Sequence, residues 1–184
     1  MAVLVRTRLQ VYRQPVLCDE EEPMSEIDAR LASLGLTLPP PFTIPAGMSL
    51  PFEFVQVAGT RVLISGHGPQ GADGLMAGPF GKVGAELSVT EGYQAARLVA
   101  LSMLASLKRT LGDLDRVARW HRVFGMVNSA PGFTQQPNVI NGFSDLILEL
   151  FGPERGAHTR SAVGMAELPF NIPVEIEGEL SLQP

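Results

Sequence analysis

Arg160 stands at the head of a small-residue stretch, Arg160-Ser161-Ala162-Val163-Gly164. A carboxylate-studded stretch, Val174-Glu175-Ile176-Glu177-Gly178-Glu179-Leu180, follows soon after. A guanidinium at a strand start serves one of two ends. It solvates the strand end, or it forks onto a carboxylate through two parallel N–H···O bonds. Ser161, Ala162 and Gly164 are small and leave room for a ligand beside the strand, while Val163 and Met165 supply apolar packing. Three glutamates on one strand face form, by default, a solvated face. If a neighbouring subunit covers that face, Glu175 gains another use: it can hold a water and act as general base or acid. Burial would raise its pKa, and a nearby Arg160 would pull it back down.

Ser65-Gly66-His67-Gly68-Pro69 is the second chemical candidate. Such a turn offers backbone N–H groups to an anion, with Ser65 and the His67 imidazole as further polar groups. The phosphate cradles GxxxxGK[ST] and GxGxxG are absent, and this turn is not a GxSxG nucleophile elbow. Asn128, Ser129, Thr134, Gln135, Gln136 and Asn141 gather around a later loop, as polar surface or as pocket lining. His67, His121 and His158 are far apart and form no HxxxH or HExxH pattern, so no zinc site is expected. With Cys18 the only cysteine, no intrachain disulfide can form.

Bulk composition narrows the partners. The net charge of −5 argues against a basic nucleic-acid surface. With 45% apolar and 18% charged residues the chain can build a sizeable core. No apolar run approaches the ~20 residues of a membrane span, and Arg6, Arg8 and Arg13 interrupt the first apolar stretch. A cytoplasmic protein is expected. Residues 1–23 read as an extension, with a short strand over 1–18 and an acidic break at Asp19–Pro23, and 24–184 as the domain.

The elements that must position these groups follow from periodicity. Ser25 caps a helix whose apolar positions are Ile27, Leu31 and Leu34, ended by Gly35. Leu38-Pro39-Pro40-Pro41 cannot be helical. Residues 52–58 and 61–65 read as strands around Gly59-Thr60, followed by a glycine-rich loop over 66–84. Ser88 and Glu91 form a capping box ahead of a helix with Ala96, Val99, Met103, Leu107 and Leu111 on one stripe and Gly112 as its stop. A second long helix starts near Pro137, carries Val139, Ile140, Phe143, Leu146, Ile147, Leu150 and Phe151, and meets Gly152. Gly142 inside it costs roughly 1 kcal/mol relative to alanine, which marks a close approach. Trp120, Phe124 and Met126 sit at alternate positions of a strand over 116–128. Two more strands are expected over 160–167 and 173–181. The sum is an α+β domain: one mixed sheet of five or six strands with two long helices on one face. Its other face needs cover, and a second copy of the chain is the simplest cover.

Three stretches resemble the reactive-intermediate deaminase family, also called the YjgF or L-PSP endoribonuclease-like family, with a chorismate-mutase-like fold. They are 61–69 (RVLISGHGP), 111–117 (LGDLDRV) and 160–180 (RSAVGMAELPFNIPVEIEGEL). Residues 34–41, 128–152 and 157–164 look like the endoribonuclease-labelled subgroup. The resemblance implies a homotrimer whose sheets form a central barrel with three clefts between subunits. There, small enamine or imine carboxylates are hydrolysed to keto acids and ammonia, without metal or organic cofactor. It implies that Arg160 grips the carboxylate, Glu175 positions the attacking water, and the Ser65-Gly66 turn supplies backbone donors. It also places Phe52, His67, Ser144, His158 and Ala162 around the substrate. Phe52 replaces a family tyrosine, Ala162 a small sulfur-bearing residue, and His67 the usual glutamine. The competing readings are a carboxylate-binding trimer without turnover and, last, a ribonuclease, for which neither a basic groove nor a series of stacking aromatics is present.

Overall fold

The computed structural model describes residues 24–184. The extension 1–23, with the strand expected in it, lies outside the described residues. Helix α1 (Glu26–Ser33) is capped by the Ser25 side chain, which accepts from the Asp28 N–H, and it buries Ile27 and Leu31. Strands β1 (Val55–Ala58) and β2 (Arg61–His67) form the expected hairpin. Helix α2 (Val89–Leu111) opens with the Ser88/Glu91 capping box in reciprocal form. Strand β3 (Val117–Asn128), helix α3 (Gln136–Gly156, breaking at Gly152), strand β4 (Thr159–Met165) and strand β5 (Val174–Leu182) complete the order.

The five strands make one sheet in the order β1-β2-β5-β3-β4. All neighbours are antiparallel except β3 and β4, which run parallel. A parallel pair needs a crossover connection, and α3 provides it. Val62 and Ile64 of β2, Val123 and Val127 of β3, and Val174, Ile176, Leu180 and Leu182 of β5 all point to the α2/α3 side. This is the α+β architecture expected from the sequence. The opposite face carries no helix among the described residues.

α2 and α3 pack closely. A Cβ added at Gly142 would lie 2.0 Å from the Tyr93 carbonyl oxygen, so only glycine lets the two backbones meet there. Gly125 of β3 makes the matching concession to α3: a Cβ there would meet Ile140 side-chain carbons at 2.6–2.8 Å.

One strand departs from simple alternation. Trp120, Phe124 and Met126 do not share a face, although their positions alternate. The register of β3 against β5 shifts between Trp120, opposite Leu180, and Arg122, opposite Glu179. That bulge turns Trp120 into the core against Phe143 and Phe151 and leaves Phe124 and Met126 on the open face.

Candidate functional site

The open face is built from β2, β5 and β3. Here the three glutamates of β5 have different surroundings. Glu179 is held by Arg61, whose Nη2 donates at 2.8 Å, and its carboxyl is pushed below the usual range by that partner. Glu177 is exposed and lies opposite Phe124. Glu175 is half-buried, lies opposite Met126, and receives no hydrogen bond among the described residues. Burial pushes its pKa above the ordinary 4.5, and the neighbouring Glu177 charge adds to the rise.

Glu175 lies over the Ser65-Gly66 bend. The β2/β5 register shifts between Ile64 and His67, so β2 carries an extra residue there. A Cβ at Gly66 would come within 2.0 Å of the Glu175 Oε1. Glycine at 66 therefore sets where the carboxylate rests. The Ser65 hydroxyl donates to the Glu53 carbonyl at 2.8 Å. Phe52, 48% exposed, stands edge-on to Phe54 and lines the same open concavity of about 580 Å³ with Glu53, Leu63, Phe124 and Glu177.

The bulge sends His67 the other way. Opposite Ile176, it points to the α2 side and is buried. Its Nδ1–H donates to the Ser65 carbonyl at 2.7 Å, which leaves Nε2 to accept from the Ser106 hydroxyl at 2.9 Å. Burial lowers its pKa to about 4. The unfolded chain takes up this proton near the ordinary 6.5, while the folded chain resists it until about 4. Stability therefore falls as pH drops through that window, by about 2 kcal/mol at pH 5 and roughly 3 kcal/mol below pH 4. Urea unfolding at pH 7 and pH 5 should show that loss, and His67→Gln should flatten the difference.

Arg160 belongs to a second constellation. It lies opposite Val123, and so do Ala162 opposite Gly125 and Gly164 opposite Val127, all on the helix side of the edge strand β4. Its guanidinium donates to the Ser144 hydroxyl at 3.0 Å, the Asn141 side-chain oxygen at 2.6 Å and the Pro137 carbonyl at 3.2 Å. His158 Nδ1–H donates to the Gly156 carbonyl at 2.7 Å, so Nε2 accepts from Ser144, 3.0 Å away. Burial chiefly, and then the Arg160 charge, lower the His158 pKa. Ala162 packs against the core.

The candidate residues thus fall into three groups. Phe52, Ser65, Gly66 and Glu175 share the open face. Arg160, Ser144, His158 and Ala162 share the helix side of β4, and His67 is buried behind β2. Within one chain β3 separates the strands of Arg160 and Glu175, and the two side chains point to opposite sheet faces. The expectation that Arg160 pulls the Glu175 pKa down is therefore not met inside the chain. Sequence reasoning singled out Asn141 only as part of a polar loop. It missed Pro137 and Ser106, whose roles depend on which helix faces which strand. Among the described residues no three His, Cys, Asp or Glu side chains converge as a metal site would require. No described helix is long and apolar enough to cross a membrane.

A five-stranded mixed sheet, two long helices on one face and a partly polar opposite face left uncovered by the described residues define the chorismate-mutase-like α+β class. The chain belongs to the family described as "YjgF/chorismate_mutase-like, putative endoribonuclease", whose model matches residues 28–175. It is 41% identical over 157 residues to Protein TCP17 of Trypanosoma cruzi, covering 85% of this chain and 94% of that protein. Protein Atu1372 of Agrobacterium tumefaciens, a crystal structure of unknown function, is 38% identical with a TM-score of 0.74, over 85% of this chain and 91% of that one. A structure titled "putative endoribonuclease" from Shewanella oneidensis is 31% identical with a TM-score of 0.76, over 85% and 99%.

Proposed function

We propose that this protein hydrolyses small enamine or imine carboxylates to keto acids and ammonia, at clefts between the subunits of a homotrimer. One observation carries the reading. Arg160 is held in place by three neutral acceptors, and no carboxylate among the described residues answers its charge. A fixed, uncompensated guanidinium on an edge strand is a binding group for an anion from outside the chain. Glu175 faces away from it, so one small molecule meets both groups where the Arg160 edge of one copy adjoins the open face of another. Leu63, 37% exposed, and the partly exposed Phe124 give that face apolar area for a second copy to cover.

The chemistry asks little of the protein. An enamine carboxylate tautomerises to the imine, and water adds to the imine carbon while its proton passes to Glu175. Glu175 returns the proton to the nitrogen to give a carbinolamine, then carries the hydroxyl proton to the same nitrogen as the C–N bond breaks and the C=O bond forms, so ammonia leaves a keto acid. Holding the carboxylate on Arg160 while the water rests on Glu175 replaces a random encounter with a fixed geometry. The raised pKa of Glu175 suits a group that must both take and give a proton.

A subunit-mixing assay tests this reading. With 2-aminoacrylate generated in situ, wild type should release ammonia faster than the uncatalysed background. Arg160→Ala and Glu175→Gln should each be inactive alone. Refolded together as random trimers, each site draws its arginine and glutamate from different copies, and about one quarter of the sites should be intact. An active wild type with no recovery on mixing would show that the two residues do not share a site. Arg160-dependent binding without ammonia release would leave a carboxylate-binding trimer. RNA cleavage abolished by the same substitutions would favour the nuclease named in the family description.

A further inference from the structure

Behind the Ser65-Gly66-His67 bend, on the side away from Glu175, lies a cavity of about 290 Å³ between α2 and the proline-rich segment that precedes β1. Pro41, Phe42, Phe54 and Met76 form apolar walls, and Ser102, Thr110 and Arg109 contribute polar groups from α2. Arg109 is exposed at the mouth of the cavity. Its guanidinium donates to the Ser106 hydroxyl at 3.0 Å and to the Pro39 carbonyl at 3.3 Å. Among the described residues it makes no ion pair with a carboxylate.

The polar order of the cavity wall is fixed. Arg109 donates to Ser106, Ser106 donates to His67 Nε2, and His67 donates to the Ser65 carbonyl. The imidazole is neutral at physiological pH, so among the described residues Arg109 brings the one cationic side chain that lines the cavity. Gln70 already directs its amide N–H groups to the Pro40 and Gly74 carbonyls and helps hold the loop that closes the cavity.

We propose that this cavity is a second small-molecule site, which takes a monoanionic carboxylate with an aromatic or branched apolar body. The single planar guanidinium matches a carboxylate of one charge, and the Phe42, Phe54 and Met76 walls match an apolar body. A phosphate dianion would find one cation and greasy walls. The cavity holds neither Arg160 nor Glu175, so it stands or falls apart from the proposed reaction. Gly66 is part of its lining, and Glu175 rests on the other side of that residue. Occupancy on one side thus bears on the carboxylate's seat on the other.

Benzoate is the probe. Titrated into the full isotope-labelled protein, it should give NOEs from its ring protons to the Met76 and Thr110 methyl groups. Arg109→Gln, which keeps a donor for Ser106 but removes the charge, should weaken binding ~10-fold or more. Arg160→Gln should leave that affinity unchanged, and inorganic phosphate should bind far more weakly. Absence of the NOEs in wild type, which needs no variant to read, overturns the proposal. Loss of binding in Arg160→Gln but not in Arg109→Gln overturns it too, since benzoate would then occupy the other site. Phosphate binding as tightly as benzoate overturns the assignment to carboxylates.

Discussion

Gly142→Ala should lower the unfolding temperature of the domain sharply. Alanine is the better helix former by about 1 kcal/mol, so propensity alone predicts a gain. The new methyl would, however, stand 2.0 Å from the Tyr93 carbonyl oxygen and 2.9 Å from its carbon. The obstacle is backbone of α2, which cannot step aside as a side chain does, so the two helices must separate. Val139, Ile140 and Phe143 on one helix and Ala96 and Val99 on the other are fully buried at this layer of the core. Overpacking of this kind costs typically 1–3 kcal/mol and sometimes more. We expect a net loss of about 2 kcal/mol, or roughly 4–8 °C in Tm by calorimetry. Gly92→Ala is the control, since its new Cβ meets side-chain methyl groups of Val139 and Val83 at 3.0–3.2 Å, which can yield. Equal stability of Gly142→Ala and wild type would refute the close approach.

Glu175→Gln should abolish activity while sparing the fold. The amide is isosteric but cannot take a proton from water, and loss of a general base typically costs 10²–10⁴-fold. The loss should fall on kcat, with KM little changed, because Arg160 remains to hold the substrate carboxylate. Stability should hold or rise, since the substitution removes a half-buried carboxylate that faces the Glu177 charge. The pH profile gives an independent reading. A base whose pKa lies above the ordinary carboxylate value loses function as pH falls through that raised value, so the acid limb of kcat/KM should lie above 4.5. An acid limb at or below 4.5, or a Glu175→Gln variant with native turnover, would remove Glu175 from the mechanism.

The elements were legible in the sequence because each carried its own local signal. Ser88 and Glu91, the stripe from Val139 to Phe151, and the alternation of Val174, Ile176 and Leu180 each state a period or a cap without help from elsewhere. Even the close approach at Gly142 was marked by a glycine where alanine is favoured. The bulges were not legible. An extra residue near His121 reverses the facing of Trp120 relative to Phe124, and nothing in the alternation of apolar residues records it. The same blindness hid the placement of the chemical groups. Arg160 and Glu175 were read as near neighbours, but the parallel pairing of β4 with β3 puts Arg160 on the Val123 side and leaves Glu175 on the Met126 side. Pairing partners are long-range facts, set by which strands meet once α3 has crossed over. The chain alone does not state them.

Were the Ser65–Gly66 irregularity flattened with both residues kept, strict two-residue alternation from the inward Ile64 would rotate the imidazole outward beside the glutamates. That surface would then hold a titrating base of near-neutral pKa together with acidic ones, a mixture suited to different proton traffic. A single irregularity in strand pairing keeps nitrogen base and oxygen base in separate compartments of one small sheet.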